Sequence, residues 1–156
     1  MKRWIWIPAC LVALGMLARL PHPAPDIGNL APVGLVRISI GENGIQIGTD
    51  TDAVGIGGDL AAAAKDLHDS TGKEVFLETA DYLILPLEGN VTVSELLTLL
   101  RPSVRVCLGE GEMDLEAARA YLSVHEPAVT LYGLHAGEQG IETLTMNEGR
   151  GALGTQ

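Results

Sequence analysis

The stretch VGIGGDLAAAAKDLHDSTGK, residues 54–73, decides how the chain is built. Three glycines precede a run of helix formers, and a Thr-Gly-Lys follows it. A phosphate-binding P-loop needs its lysine beside the glycines, so that amides and ammonium meet the same phosphate. Here Lys73 lies at the far end of the helix from Gly58, about 20 Å away at 1.5 Å per residue. The dinucleotide fingerprint fails as well, because position 60 is leucine where a third glycine is required. Asp59 puts a negative charge where a phosphate would sit. The spacing therefore predicts a capped helix over 59–72: Asp59 caps it, Leu60, Ala63, Ala64 and Leu67 face inward, and Gly72 ends it. The glycines before it read as a turn out of the preceding hairpin.

Upstream, VGLVRISI (33–40) and IQIGT (45–49) flank GENG (41–44), whose Asn43-Gly44 is hairpin turn chemistry. Residues 50–58 read as a loop or a fraying strand. Downstream, EVFLETADYLILPL (74–87) carries the strongest strand signal; Tyr82–Leu85 looks buried on both faces, and Pro86 stops it. TVSELLTLLRP (92–102) reads as a helix capped by Thr92 or Ser94, VRVCLG (104–109) as a strand, and MDLEAARAYLS (113–123) as a helix with acids in its first turn. Residues 125–140 show no clean period, and IETLTM (141–146) reads as a last strand. The expected fold is α/β: a small mixed sheet with a β-hairpin, then alternating helices and strands, over residues 33–146. Leu67, Leu83, Ile84, Leu85 and Val106 are expected in its core. The glycine-rich residues 147–156 read as a disordered tail.

The N-terminus has a different character. Lys2 and Arg3 precede WIWIPACLVALGMLA, 15 uncharged residues at 4–18. Arg19 and a Pro-rich linker over 21–32 follow. Residues 1–20 form either a membrane anchor or a cleaved signal. An uncleaved helix through the membrane over 4–20 is the preferred reading, because no position near its end offers a good cleavage site. The basic start places that end in the cytoplasm and the domain outside. If the segment is cleaved instead, the domain is secreted. Cys10 follows a passable lipobox, IPAC, but the apolar run continues past it, so a protein anchor is expected rather than a lipid.

All 20 acidic residues lie after position 25 but only seven of the 10 basic ones, which leaves a net charge of −13 there. Such a surface repels nucleic acid, which is excluded as a partner. Cys10 and Cys107 do not make a disulfide framework. His22, His68, His125 and His135 show no metal-ligand spacing; His135 with Glu138 is a faint pair. Glu110, Glu112, Asp114 and Glu116 alternate as calcium ligands would but lack the glycine turn and late glutamate of a calcium loop, and read as helix-start acids. No G-x-S-x-G is present, and Ser39, Ser70, Ser94, Ser103 and Ser123 read as strand, cap or turn residues. The sequence offers no catalytic, cofactor-binding or metal-ligating residue, and the expectation is a non-enzymatic protein without cofactor.

Several of these pieces together resemble the N-terminal domain of the Ger(x)C spore-germination proteins, the C subunits of nutrient germinant receptors. DIGNLAPV (26–33) is similar to the family's acidic-Ile-x-x-Leu-Ala-x-Val entry. GGDLAAAAKDL resembles its helix start, with Asp59 at the capping hydroxyl and Ala63 and Leu67 in the family spacing. EVFLETADYLIL looks like the strand that follows, with Glu78 and Thr79 near the family's Gly-His. SELLTLLRPSVRVCLGEGEMDLEA resembles its helix, turn, strand and next helix. The resemblance runs from Asp26 to about Pro127. It implies a stand-alone, truncated relative with a transmembrane anchor in place of the family's lipid. It also implies contacts with germinant-receptor-like membrane subunits, at the outer face of the inner membrane of a spore-former, and no catalytic residue. The alternative is an unrelated extracytoplasmic module that binds in the envelope or cell wall.

Overall fold

A computed structural model describes residues 30–155, apart from 73, 90, 110, 148 and 149. The apolar segment 4–20, most of the linker, His22, Cys10, Lys73 and Glu110 lie outside the described residues. No helix among those described is long and apolar enough to cross a membrane.

Nine strands and four helices are described: β1 Leu30–Pro32, β2 Leu35–Gly41, β3 Gly44–Thr49, β4 Val54–Gly57, α1 Leu60–Thr71, β5 Glu74–Phe76, β6 Tyr82–Pro86, α2 Val93–Leu99, β7 Arg105–Gly109, α3 Leu115–Leu122, α4 Leu131–His135, β8 Glu142–Asn147 and β9 Arg150–Thr155. A 3-10 turn covers Leu77–Thr79. Seven strands form one sheet in the order β4-β3-β2-β6-β7-β8-β9, and β1 pairs with β5 in a separate two-stranded ribbon. β2, β6, β7 and β8 run parallel, while β3 and β4 on one side and β9 on the other are antiparallel to their neighbours. The mixed α/β class expected from the alternating pattern is the observed one.

The sheet is covered on both faces, and the period of two along each strand decides which residue faces which cover. Val36, Ile38, Ile47, Leu83, Leu85 and Val106 pack under α1, α2 and α4, with Leu60, Ala63, Leu67, Leu96 and Leu131 supplying the helical side. Leu35, Tyr82, Ile84, Cys107 and Leu144 pack under α3, through Ala118 and Leu122. Tyr82–Leu85 is therefore buried on both faces, as its unbroken apolar run predicts. Leu83 is fully buried at the centre of the sheet. Leu83→Ala should cost about 2–5 kcal/mol in denaturant unfolding; a change within about 0.5 kcal/mol would place this side chain outside the core.

Helix ends follow the chemistry of their residues. Asp59 caps α1, its carboxylate accepting from Ala62 N at 2.7 Å. Gly72 ends it with φ +59°, a conformation that favours glycine. Asp114 caps α3, accepting from the amides of Glu116 and Ala117. Thr92 stands at the start of α2 but makes no capping bond through its side chain.

Four expectations are corrected. The 74–87 segment is not one strand: it breaks between β5 and β6 at Thr79. That hydroxyl accepts from Val33 N at 2.9 Å and lies 2.7 Å from the Phe76 carbonyl, which holds the 3-10 turn. Residues 125–140 contain α4, a short helix capped by Thr130. The sheet structure reaches into the linker expected over 21–32, because Leu30–Pro32 pairs with Glu74–Phe76. Residues 150–155 are not a tail but strand β9, paired along its length with β8. Its glycines do not oppose this, since the ring of Tyr121 from α3 lies over Gly151 and takes the place of a side chain there.

Candidate functional site

The densest polar structure lies at the amino-terminal end of the parallel strands. Asp50, just past β3, buries its carboxylate: its side chain is 1% exposed. It accepts from Gly34 N at 3.0 Å and Leu35 N at 3.1 Å, and from Arg119 Nη1 of α3 at 2.8 Å. The turn that presents it is closed by Thr49, whose hydroxyl accepts from Ala53 N at 3.2 Å and meets the hydroxyl of Thr51 at 2.9 Å. Asp52 takes φ +60° in that turn, a position that aspartate tolerates better than most residues.

Two further arginines close the same end of the sheet. Arg101 donates to the Ala80 carbonyl at 3.0 Å and pairs with Asp81. Arg105 donates to the Ala128 carbonyl at 3.0 Å and the Pro127 carbonyl at 3.2 Å, with Glu126 at 3.8 Å. Burial raises the pKa of the Tyr82 phenol beside them, with Glu126 and Asp81 adding to the shift. Arg101 and Arg105 are thus each matched by a carboxylate and spent on main chain, and Arg119 is matched by Asp50. The arrangement ties loops to the sheet.

The carboxyl-terminal end has another character. The loops there carry Glu42, Glu88, Glu112 and Asp114. Arg37 on β2 reaches the Gly111 carbonyl from below; burial lowers its pKa, and Glu112 works against that shift. On the outer side of the α1–α2 pair, a cleft of about 240 Å³ is lined by Asp59, Leu60, Ala61, Glu95, Thr98 and Leu99. It is smaller than the roughly 300–1,000 Å³ usual for sites that enclose a small-molecule ligand.

The histidines and serines singled out in the sequence do not come together. His68 and His135 are exposed on α1 and α4, and His125 stacks on the Tyr121 ring at 4.4 Å. Glu138 folds back on α4, its amide bonded to the Gly133 carbonyl. No group of three or more potential metal ligands occurs among the described residues. Ser123 donates to the Ala120 carbonyl, in the last turn of α3. Cys107 is buried under α3, and desolvation, helped by Glu142, pushes its thiol up to about 12, so it stays protonated and inert at neutral pH.

Sequence reasoning missed the role of one pair on α1. Asp66 and Ser70, one helical turn apart, reach the outward main chain of β4: the Ile56 amide donates to Asp66 Oδ2 at 2.9 Å, and Ser70 Oγ donates to the Val54 carbonyl at 3.2 Å. They occupy one donor and one acceptor of an edge that would otherwise be more open to pairing. The signal for it was present, in two short polar side chains at i and i+4 on a helix that follows an edge strand. On the opposite face of β4, Val54 and Ile56 stay nearly half exposed. Comparison of the chain with protein-family models, with curated proteins and with solved structures found no match.

Proposed function

We propose that this chain is a non-enzymatic module, tethered to the membrane by residues 4–20, that works outside the cytoplasm through protein–protein contacts. The reading likens it to the N-terminal domain of a spore germinant receptor C subunit. The observation that carries the reading is the join between two unlike parts: a basic start and an apolar run, then a Pro-rich linker, then an acidic α/β domain. The order of hairpin, capped helix, strand, helix, strand and helix from β2 to α3 supports the likeness to that domain. The short β1–β5 ribbon also supports it, since it seats the end of the linker directly on the domain.

Fractionation of the source cells tests the tether. The chain should stay in the membrane through a high-salt wash, keep its full length, and be cut by protease added from outside. A soluble form shorter by about 18–30 residues, the length of a signal peptide, would overturn the tether. Cross-linking and capture of the full chain from sporulating cells then tests the partner. Recovery of a multi-pass membrane subunit supports the germination reading. Recovery of cell-wall proteins alone would replace it with an envelope-binding role.

A further inference from the structure

The two edges of the seven-stranded sheet are built differently. At β4 part of the outward main chain is already engaged: Asp66 from α1 takes the Ile56 amide and Ser70 takes the Val54 carbonyl. At β9 nothing among the described residues takes up the outward side, neither strand nor side chain. The strand also lacks the devices that keep a free edge from pairing: it has no proline and no lysine, and its one charge, Arg150, stands at its start. Yet its place is firmly held. It pairs with β8 from Arg150 to Thr155, Leu153 packs with the cluster under α3, and Gly151 lies under the Tyr121 ring. The result is a fixed strand with an unpaired row of amides and carbonyls.

We infer that β9 is a self-association edge, at which two copies of this chain pair antiparallel about a two-fold axis and join their sheets. Backbone geometry dictates that the occupant is an extended strand, and three features of β9 select a second copy. A two-fold axis through Ala152 sets Ala152 opposite itself, Gly151 opposite Leu153 and Arg150 opposite Gly154. No large side chain then meets another across the join. The two Arg150 side chains fall about four residues apart along the strands, roughly 14 Å, which exceeds a Debye length of about 8 Å at physiological salt. In a domain with a net charge of −13, β9 carries no acid, so two copies repel least along this edge. The partly occupied β4 edge is the poorer partner for such pairing. A two-fold pairing uses β9 on both copies at once, so association through this edge closes at a dimer and does not grow into a fibre.

The test uses the full chain in a mild detergent, with light scattering after size-exclusion chromatography and the detergent mass subtracted. The expected protein mass is twice the 16.4 kDa of one chain. Ala152 and Gly154 are exposed, so Ala152→Lys and Gly154→Lys should each return a mass of one chain with an unchanged far-UV spectrum. Ala152→Cys serves where a lysine variant fails to fold. Opposed residues of antiparallel strands have Cα atoms about 4.5–5.5 Å apart, within reach of a disulfide. Mild oxidation of Ala152→Cys in a Cys10→Ser background should therefore give a cross-linked dimer that Cys10→Ser alone, with the buried Cys107, does not give. A mass of one chain at every concentration would overturn the inference. So would a dimer that survives both lysines and gives no cross-link in Ala152→Cys, because its contact would lie elsewhere, as in the apolar segment 4–20. Both outcomes are independent of where the chain resides and of what partner it has.

Discussion

Gly55→Ala is expected to destabilise the domain by about 3 kcal/mol or more, an unusually large loss for one added methyl group. Gly55 and Gly57 point from β4 straight at α1. A Cβ at Gly55 would stand 2.2 Å from the Ala63 carbonyl oxygen and 2.4 Å from the Leu67 amide nitrogen. One at Gly57 would stand 2.3 Å from the Ala63 amide nitrogen. These are main-chain atoms of a helix, which cannot swing aside as the end of a long side chain can. To admit the methyl group, α1 must lift from the strand. Lifting it withdraws Ala63 and Leu67 from the core and pulls Asp66 and Ser70 off the β4 edge together. Gly58, one residue past the strand, has nothing within 4 Å of its Cβ position. Gly58→Ala is the matched control and should stay within about 0.5 kcal/mol of wild type in the same urea titration. Equal effects at the two positions would mean that flexibility of the chain, and not contact with the helix, is what the glycines supply.

This pair of glycines also shows where reading from sequence stops. The helix itself was legible: Asp59, the 3.6-residue spacing and Gly72 are local signals, and each acts within the segment that carries it. So was the centre of the sheet, where Tyr82–Leu85 is apolar without a break. The glycines read as a turn because glycine breaks strands on local grounds. Their actual use is at contact with a helix that starts three residues later and folds back over them, and only the folded chain brings that backbone to where a Cβ would otherwise stand. β9 was lost for a related reason. Residues 150–155 have little intrinsic strand tendency, and they become a strand because β8 offers the pairing and Tyr121 fills the space above Gly151. Among candidate site residues, the chemistry of single side chains was legible and their company was not. His68, His125, His135, Glu112, Asp114 and Glu116 lie on surfaces or helix starts, whereas the buried carboxylate of Asp50 sits in a TDTD stretch that read only as a loop or a fraying strand.

Asp50→Ala should cost about 2–5 kcal/mol, and the comparison with Arg119→Ala decides why. The carboxylate holds two main-chain amides, of Gly34 and Leu35, both in buried residues at the point where the chain enters β2. Removing it leaves both amides without an acceptor, and each buried unmet amide costs about 1–3 kcal/mol. The guanidinium of Arg119 is half exposed and recovers water when its partner is lost. Asp50→Asn keeps an oxygen for the amides and gives up the charge, so it should lose only part of the stability. Arg119→Ala leaves the amides satisfied but uncovers Gly34, whose Cα side lies under the Arg119 Nε and Cζ atoms. Its cost should fall below that of Asp50→Ala. If instead Arg119→Ala and Asp50→Asn each cost as much as Asp50→Ala, the ion pair supplies most of the stability. If the amides supply it, amide exchange at Leu35 should accelerate strongly in Asp50→Ala and little in Arg119→Ala. The same exchange measurement follows the first turn into the sheet, because Asp50 N donates to the Leu35 carbonyl and Gly34 O accepts from Asp81 N. Loosening this node thus frees the start of β2 and the start of β6 together, the two parallel strands that the rest of the sheet is built on.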